Sequence, residues 1–350
     1  MELPVHPYPE ATSSGKITVE QLLKIYLANP CHRIERPYDY PILAKKCRSP
    51  VKLLPRLFPS KHRESLAPDV VGMITEQERA WFRSYAADVY SGAGAIVDLG
   101  CFIGSTTISL AQGLRANRIA GATKIHAYDH FVWDDFIKAW WTAKNLPPPD
   151  VVDDSFLPEF LNRTLPWKEQ IILHQQDLTH VQWHNGPIEF LLVDAMKSPE
   201  LADSITHVFF PYLIPGKSYL AQQDFAHFYT SWIHLLQFRL RDSFVVAADI
   251  PKSGTVVFRY HKQFSPEAFS DLSLSSAPVE EIEAAFEYSL RLVSDDKKTN
   301  VVAAKAMAYI HRGDVDRARE VVEANRWGAT SLGQELETVK RLIRQQTGNE

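Results

Sequence analysis

The chain is predicted to be an α/β protein built on a doubly wound, mostly parallel sheet of seven strands. From residue 95 onward, short β-rich runs alternate with segments of helix length, which is the pattern of strands joined by crossover helices. The last two runs, SFVVAA (243–248) and GTVVFRY (254–260), are separated only by DIPKS, too short for a crossover. They must therefore pair as an antiparallel hairpin that closes an otherwise parallel sheet.

The elements follow in chain order. Residues 1–74 are rich in Pro and charge and read as a helical arm. Within them VEQLLKIYLA (19–28) has apolar residues at helical spacing behind Thr18, an N-cap. Over 75–91, Thr75 and Glu78 form a capping box, and Trp81, Tyr85 and Val89 recur every four residues on one helix face. The next five strands are AIVDL (95–99), KIHAY (124–128), QIILH (170–174), EFLLV (189–193) and KSYLA (217–221). Between the second and third of these, 130–168 is longer than a single crossover helix requires. This insert carries Trp133, Trp140, Trp141 and Trp167 of the chain's eight tryptophans, and flat aromatic faces in such a lid suit the covering of a sugar or aromatic acceptor.

The strand-bearing core is thus 75–261. The remainder, 262–350, is a Ser- and Pro-containing linker followed by helices. In that tail, 300–327 is similar to a tetratricopeptide hairpin turning at Gly313-Asp314, a unit that cannot bury its apolar face alone and must pack on the core or on a partner. The helical tail also makes pairing of two copies an expectation.

Composition narrows the class. Lys and Arg number 38 against 42 Asp and Glu, so the chain lacks the basic excess of a nucleic-acid-binding surface. With 45% hydrophobic and 23% charged residues it is an ordinary globular sequence. No run approaches the ~20 apolar residues of a membrane span. Three cysteines (Cys31, Cys47, Cys101) are too few and scattered for a disulfide framework or zinc site. The first residues lack the basic and apolar regions of a secretory signal, so a cytoplasmic location is expected.

The chemistry concentrates in IVDLGCFIGSTTISLA (96–111). A strand carrying Asp98 runs into Gly100-Cys101-Phe102-Ile103-Gly104, and Ser105, Thr106 and Thr107 then open a helix. The glycines allow a sharp turn and close backbone approach, and the helix start offers unpaired N–H groups to an anion. Bulky Cys101, Phe102 and Ile103 stand where a dinucleotide fingerprint needs a second glycine. No Gly-Lys-Ser/Thr follows, which excludes a P-loop. The turn suits a ligand without pyrophosphate.

Asp98-Leu99-Gly100-x-x-x-Gly104 resembles motif I of the class I S-adenosylmethionine-dependent methyltransferases, and the strand plan over roughly 75–260 is similar to that family's core. The resemblance implies S-adenosylmethionine as cofactor, held at Asp98, Gly100, Phe102, Gly104 and Ser105. It further implies that Asp129, closing the second strand, accepts hydrogen bonds from the ribose hydroxyls. Asp177, after the third, would meet the adenine amino group, with Leu178 against the ring. Asp194, after the fourth, would face the point of methyl transfer. All lie at carboxyl ends of strands, where open α/β sheets bind ligands.

A narrower likeness covers 191–228, which resembles the metal-assisted sugar and antibiotic O-methyltransferases typified by macrocin O-methyltransferase. It implies Mg²⁺ held by Asp194 and Asp224, gripping the acceptor hydroxyls. The chain departs from that branch at Gln223, where an acid is expected, and an amide is the poorer Mg²⁺ ligand. His227, expected at the start of the next helix, is then a candidate general base. The implied activity is O-methylation of a hydroxyl on a sugar, glycan or glycosylated metabolite, with Asp194, Asp224 and His227 at the acceptor. The alternative is a non-catalytic binding module of the same fold that docks a partner through its C-terminal helices.

Overall fold

The computed structural model describes residues 70–347 apart from 120, 122, 266–270, 329, 331 and 333. The expected arm up to residue 69, with the helix at 19–28, Cys31 and Cys47, lies outside the described residues. Seven strands form one sheet: β1 (Ala95–Leu99), β2 (Ile125–Asp129), β3 (Ile171–Gln175), β4 (Ile188–Val193), β5 (Tyr219–Gln222), β6 (Phe244–Asp249) and β7 (Val256–Tyr260). Their order is β3-β2-β1-β4-β5-β7-β6, with β7 antiparallel to both β5 and β6. Each strand falls within a residue or two of its expected place. β4 is buried along its whole length, as a central strand covered on both faces must be, and this is why residues 190–193 read as a continuous apolar run after the buried Glu189.

Period-two alternation divides the sheet's side chains between two cores. Ile96, Phe190 and Leu192 pack on one face with Phe82, Tyr85, Leu110 and Leu114. These last come from α1 (Glu76–Ser84), its π-helical extension at Tyr85–Val89, and α2 (Ser105–Ala116). The expected capping box is present at Thr75, whose hydroxyl accepts from the Glu78 amide while the Glu78 carboxylate takes the Thr75 N–H at 2.6 Å. Trp81 stacks on Tyr85 at 5.5 Å, one turn further along. Thr75→Ala is expected to cost about 1 kcal/mol, measured as a lower urea midpoint at unchanged slope.

The other face receives Val97, Leu99, Leu191 and Val193. It is covered by α5 (Pro199–Phe209) and α6 (Trp232–Arg239), and then by the C-terminal helices α7 (Val279–Leu292), α8 (Asp295–His311), α9 (Val315–Glu323) and α10 (Glu335–Thr347). The expected hairpin is α8–α9, turning at Gly313 with φ +81°. α8 is buried around most of its circumference, from Lys297 to Ile310. The core of the sheet runs without a break through α8 to Leu342 and Ile343 of α10. The C-terminal helices thus find their apolar partner within the chain.

The insert holds α3 (Asp135–Ala143) and α4 (Leu157–Thr164) and builds a third small core. Trp140, Trp141, Phe131, Phe156 and Phe160 are buried in it together with Cys101 and Ile103 of the turn after β1, and Trp133 packs against it. Trp167 departs from the expected group of four indoles. It packs against the core formed with α1 and α2, under the guanidinium of Arg115.

Candidate active site

Strand order reverses between β1 and β4. β2 and β3 lie on one side of β1, with β4 and β5 on the other, so the carboxyl ends of β1 and β4 frame the crevice where such sheets bind ligands. The Asp194 amide donates to the Leu99 carbonyl at 2.9 Å, and the Gln223 amide to Val193 at 3.1 Å. Strand register therefore sets Gly100, Asp129, Asp194 and Gln223 side by side.

The turn after β1 is held from three directions. Gly100 has φ +85°, and a Cβ there would lie 2.7 Å from the Asp194 carbonyl. Gly104 has φ +91°, and its Cβ would lie 2.8 Å from Thr164 and 3.3 Å from Phe160 of the insert. Both glycines are demanded by close approach as well as by backbone conformation. Phe102, at φ +48°, turns its ring into the insert against Trp140 and Phe156.

Asp98 is buried. Its Oδ2 accepts from Thr106 and Thr107 at 2.6 Å each, tying β1 to the first turn of α2. Burial pushes its carboxyl up to about 6, against the pull of the two threonine hydroxyls. Its Oδ1, and the nearby Ser105 Oγ in the same helical turn, are buried without a hydrogen-bond partner among the described residues. Orphaned polar atoms of this kind require a cause. An acceptor and a hydroxyl at a helix start match the charged amino-acid end of a ligand such as S-adenosylmethionine, so the residues present fit that group.

Asp129 receives the Phe102 amide on Oδ2 at 2.9 Å and the Phe131 amide on Oδ1 at 2.8 Å. Burial raises its carboxyl despite those two donors. Each oxygen retains acceptor capacity for ribose hydroxyls. Asp177 lies beyond β3 in a turn with Thr179, 3.3 Å from His130 Nε2. Although burial opposes it, Thr179 and His130 hold its carboxyl below the ordinary value. Leu178 is buried in the main core, with its carbonyl accepting from Ser204 at 2.6 Å.

Beyond the ends of β4 and β5, Asp194 and Asp224 converge on the ammonium of Lys197. Nζ lies 2.8 Å from Asp194 Oδ1 and in closer contact with Asp224 Oδ2. The Lys197 amide donates to the Ala195 carbonyl at 2.8 Å, a tight turn that folds the side chain back over the end of β4. Burial disfavours the ammonium, but the two carboxylates more than compensate and raise it. Burial raises Asp194, Lys197 opposing and Asp224 reinforcing. Asp224, half-buried, is brought down by Lys197 and His227 against the cost of desolvation.

A Mg²⁺ ion seeks near-octahedral oxygen ligands. Here an ammonium bridges the two carboxylates, the third expected acid is Gln223, and no group of three His, Cys, Asp or Glu suited to a metal occurs among the described residues. The donor set does not fit the expected ion. Lys197 is the residue between these two acids that sequence reasoning misses. Its signal is the i, i+3 spacing from Asp194, which has meaning only once the tight turn after β4 is known.

His227 lies in the loop after β5 and not at a helix start, since α6 begins at Trp232. Its Nδ1 accepts from the Tyr229 amide at 3.3 Å, and its own amide donates to the Asp224 carbonyl at 3.0 Å. The next amide, Phe228, donates to Glu335 Oε2 at 2.8 Å. Glu335 is the first residue of α10, so the C-terminal helices reach under the loop that carries Asp224 and His227. Burial pushes this carboxyl up to about 8, with Asp224 adding to the rise.

No protein-family model matches the chain, and no curated protein matches it. Solved structures do. The O-methyltransferase NovP is 16% identical with a TM-score of 0.40, over 53% of this chain and 80% of that one. A cyclopropane-fatty-acyl-phospholipid synthase-like protein from Lactobacillus casei is 10% identical with a TM-score of 0.29, over 78% of this chain and 86% of that one. Coclaurine N-methyltransferase, solved with N-methylheliamine and SAH, is 13% identical with a TM-score of 0.26, over 75% of this chain and 63% of that one. The fold assignment, a Rossmann-like sheet of the class I methyltransferase type, rests on strand order and not on these distant likenesses. Among the described residues no helix is long and apolar enough to cross a membrane.

Proposed function

We propose that this protein is an S-adenosylmethionine-dependent methyltransferase that methylates a hydroxyl of a sugar, glycan or glycosylated small molecule by direct in-line transfer. The supporting observation is the crevice at the strand-order reversal, where Asp98 Oδ1 and Ser105 Oγ are buried and, among the described residues, unpaired beside the Gly100–Gly104 turn. When bound, the cofactor supplies a methyl group already activated on a sulfonium. The protein's task is then to align an acceptor with it and to exclude water.

In this reading Asp98, Ser105 and the turn at Gly100, Phe102 and Gly104 hold the amino-acid end of the cofactor. Asp129 takes the ribose hydroxyls and Asp177 the adenine edge, with Leu178 backing the loop from the core. The aromatic insert closes over the turn and shields it from water. Asp194, Asp224 and Lys197 orient the acceptor. His227, beside Asp224, is the proposed base, and taking up the acceptor proton on Nδ1 requires that this atom release the Tyr229 amide.

The test has two arms. Calorimetry with S-adenosylhomocysteine and with NAD separates the cofactor classes; saturable binding of the first and none of the second is expected. Release of S-adenosylhomocysteine over a panel of nucleotide sugars, glycans and glycosylated metabolites then identifies the acceptor. Tight cofactor binding with no turnover on any hydroxyl acceptor would leave the fold a binding module. Against that alternative stand the unbroken core joining the helices to the sheet and the reach of Glu335 to the Asp224 loop.

A further inference from the structure

Building on the methyl-transfer reading of this site, we propose that Lys197 is its resident cation. Its ammonium takes the place between Asp194 and Asp224 that a divalent metal would need, so the protein works without one, and a metal site appears only when that side chain is removed. Two carboxylates from the ends of neighbouring strands β4 and β5 converge, and Nζ bridges them, 2.8 Å from Asp194 and closer still to Asp224. A divalent ion there would have to coexist with a positive charge held on the same oxygens, and like charges at such separations repel strongly even in a partly solvated site.

Charge count points the same way. A metal site of this kind draws on a third acid, and here that position is Gln223, buried and neutral. Two carboxylates and one ammonium leave a single net negative charge, whereas an added Mg²⁺ would turn the cluster positive. Lys197 uses two of its three N–H donors on the carboxylates. Its side chain is one-third exposed, at 33%, so the third donor can reach an acceptor oxygen from the crevice. The ammonium would thus orient and polarise the acceptor hydroxyl, as a metal would, but through a hydrogen bond rather than a coordinate bond.

The test is Mn²⁺ binding to the full chain, followed by electron paramagnetic resonance of the free ion. Wild type is expected to show no saturable Mn²⁺ site. Lys197→Ala, which both frees the carboxylates and opens space, should bind one Mn²⁺ at least about tenfold more tightly than wild type, and adding Asp194→Asn should abolish the gain. Lys197→Met removes the charge but fills the space, so it should bind less well than Lys197→Ala. Wild-type turnover, and its melting temperature, should be unchanged by EDTA.

The proposal is overturned if wild type binds Mn²⁺ at a site that Asp194→Asn removes, or if a folded Lys197→Ala binds no better than wild type. Should Lys197→Ala not fold, the wild-type titration and Lys197→Ser decide between the same two outcomes. None of these results depends on S-adenosylhomocysteine calorimetry. A failure of the methyltransferase reading would show there as absent binding, with the metal result standing on its own.

Discussion

Asp129→Ala is expected to weaken S-adenosylhomocysteine binding by about 100-fold or more, measured by calorimetry. Two effects add. The carboxylate supplies the acceptors proposed for the ribose hydroxyls, and hydrogen bonds to a charged group are worth about 1.5–3 kcal/mol each, where about 1.4 kcal/mol is tenfold in affinity. The same carboxylate also anchors the binding turn, because Oδ2 takes the Phe102 amide at 2.9 Å while Phe102 sits at φ +48°, a conformation that a phenylalanine adopts at a cost. Losing the anchor frees the turn as well as the ligand contact. Asp129→Asn retains one carbonyl acceptor and should fall between the two. An Asp129→Ala protein with wild-type affinity would remove the ribose from this strand end and with it the proposed cofactor pose.

The second large effect is a pH dependence of stability centred on Glu335. Its carboxyl is raised from 4.5 to about 8 by burial, with Asp224 adding to it. An acid held above its unfolded value binds a proton in the folded state that the unfolded chain has released. Its contribution is therefore nil below about pH 4.5, becomes steadily more unfavourable as pH rises to about 8, and is constant beyond. At about 1.4 kcal/mol per unit, the loss across that window is of the order of several kcal/mol.

Glu335→Gln mimics the protonated form and keeps an oxygen for the Phe228 amide. It is expected to match wild type at pH 5 and to exceed its melting temperature by roughly 5 °C or more at pH 9. Equal pH profiles for the two proteins would place Glu335 in solvent. Since this carboxyl supports the loop bearing Asp224 and His227, the activity of wild type should also fall more steeply than that of Glu335→Gln at alkaline pH.

Much of this architecture is legible in the sequence. The seven strands are readable because their signals are local: short β-branched and aromatic runs, bounded by turn residues, with helix-length gaps until DIPKS forces a hairpin. The capping box at Thr75 and the turn at Gly313 are also local devices. So is the proposed cofactor half of the site, since Asp98, Gly100, Gly104 and Asp129 are placed by strand ends that the sequence itself marks.

The proposed acceptor half is less legible. Asp194 and Asp224 are identifiable as strand-end acids, but the ammonium of Lys197 bridges them, and its approach depends on a backbone turn that no spacing rule encodes. His227 reads as a helix start because Phe228 to Leu236 is mostly apolar; an Asp224-centred loop continues instead as far as Trp232. The four indoles of the insert look alike in sequence, yet Trp167 goes to a different core.

By itself, then, the sequence determined the strand plan, its parallel and antiparallel parts, and which acids sit at the strand ends. Each follows from hydrophobic period and turn chemistry within a few residues. Only the tertiary structure decided what those acids face. The Phe228 amide and the Glu335 carboxylate are 107 residues apart along the chain, and Lys197 and Asp224 are 27 apart. Such pairings are chosen by how helices and strands pack in three dimensions, and burial then sets the charge that each group carries.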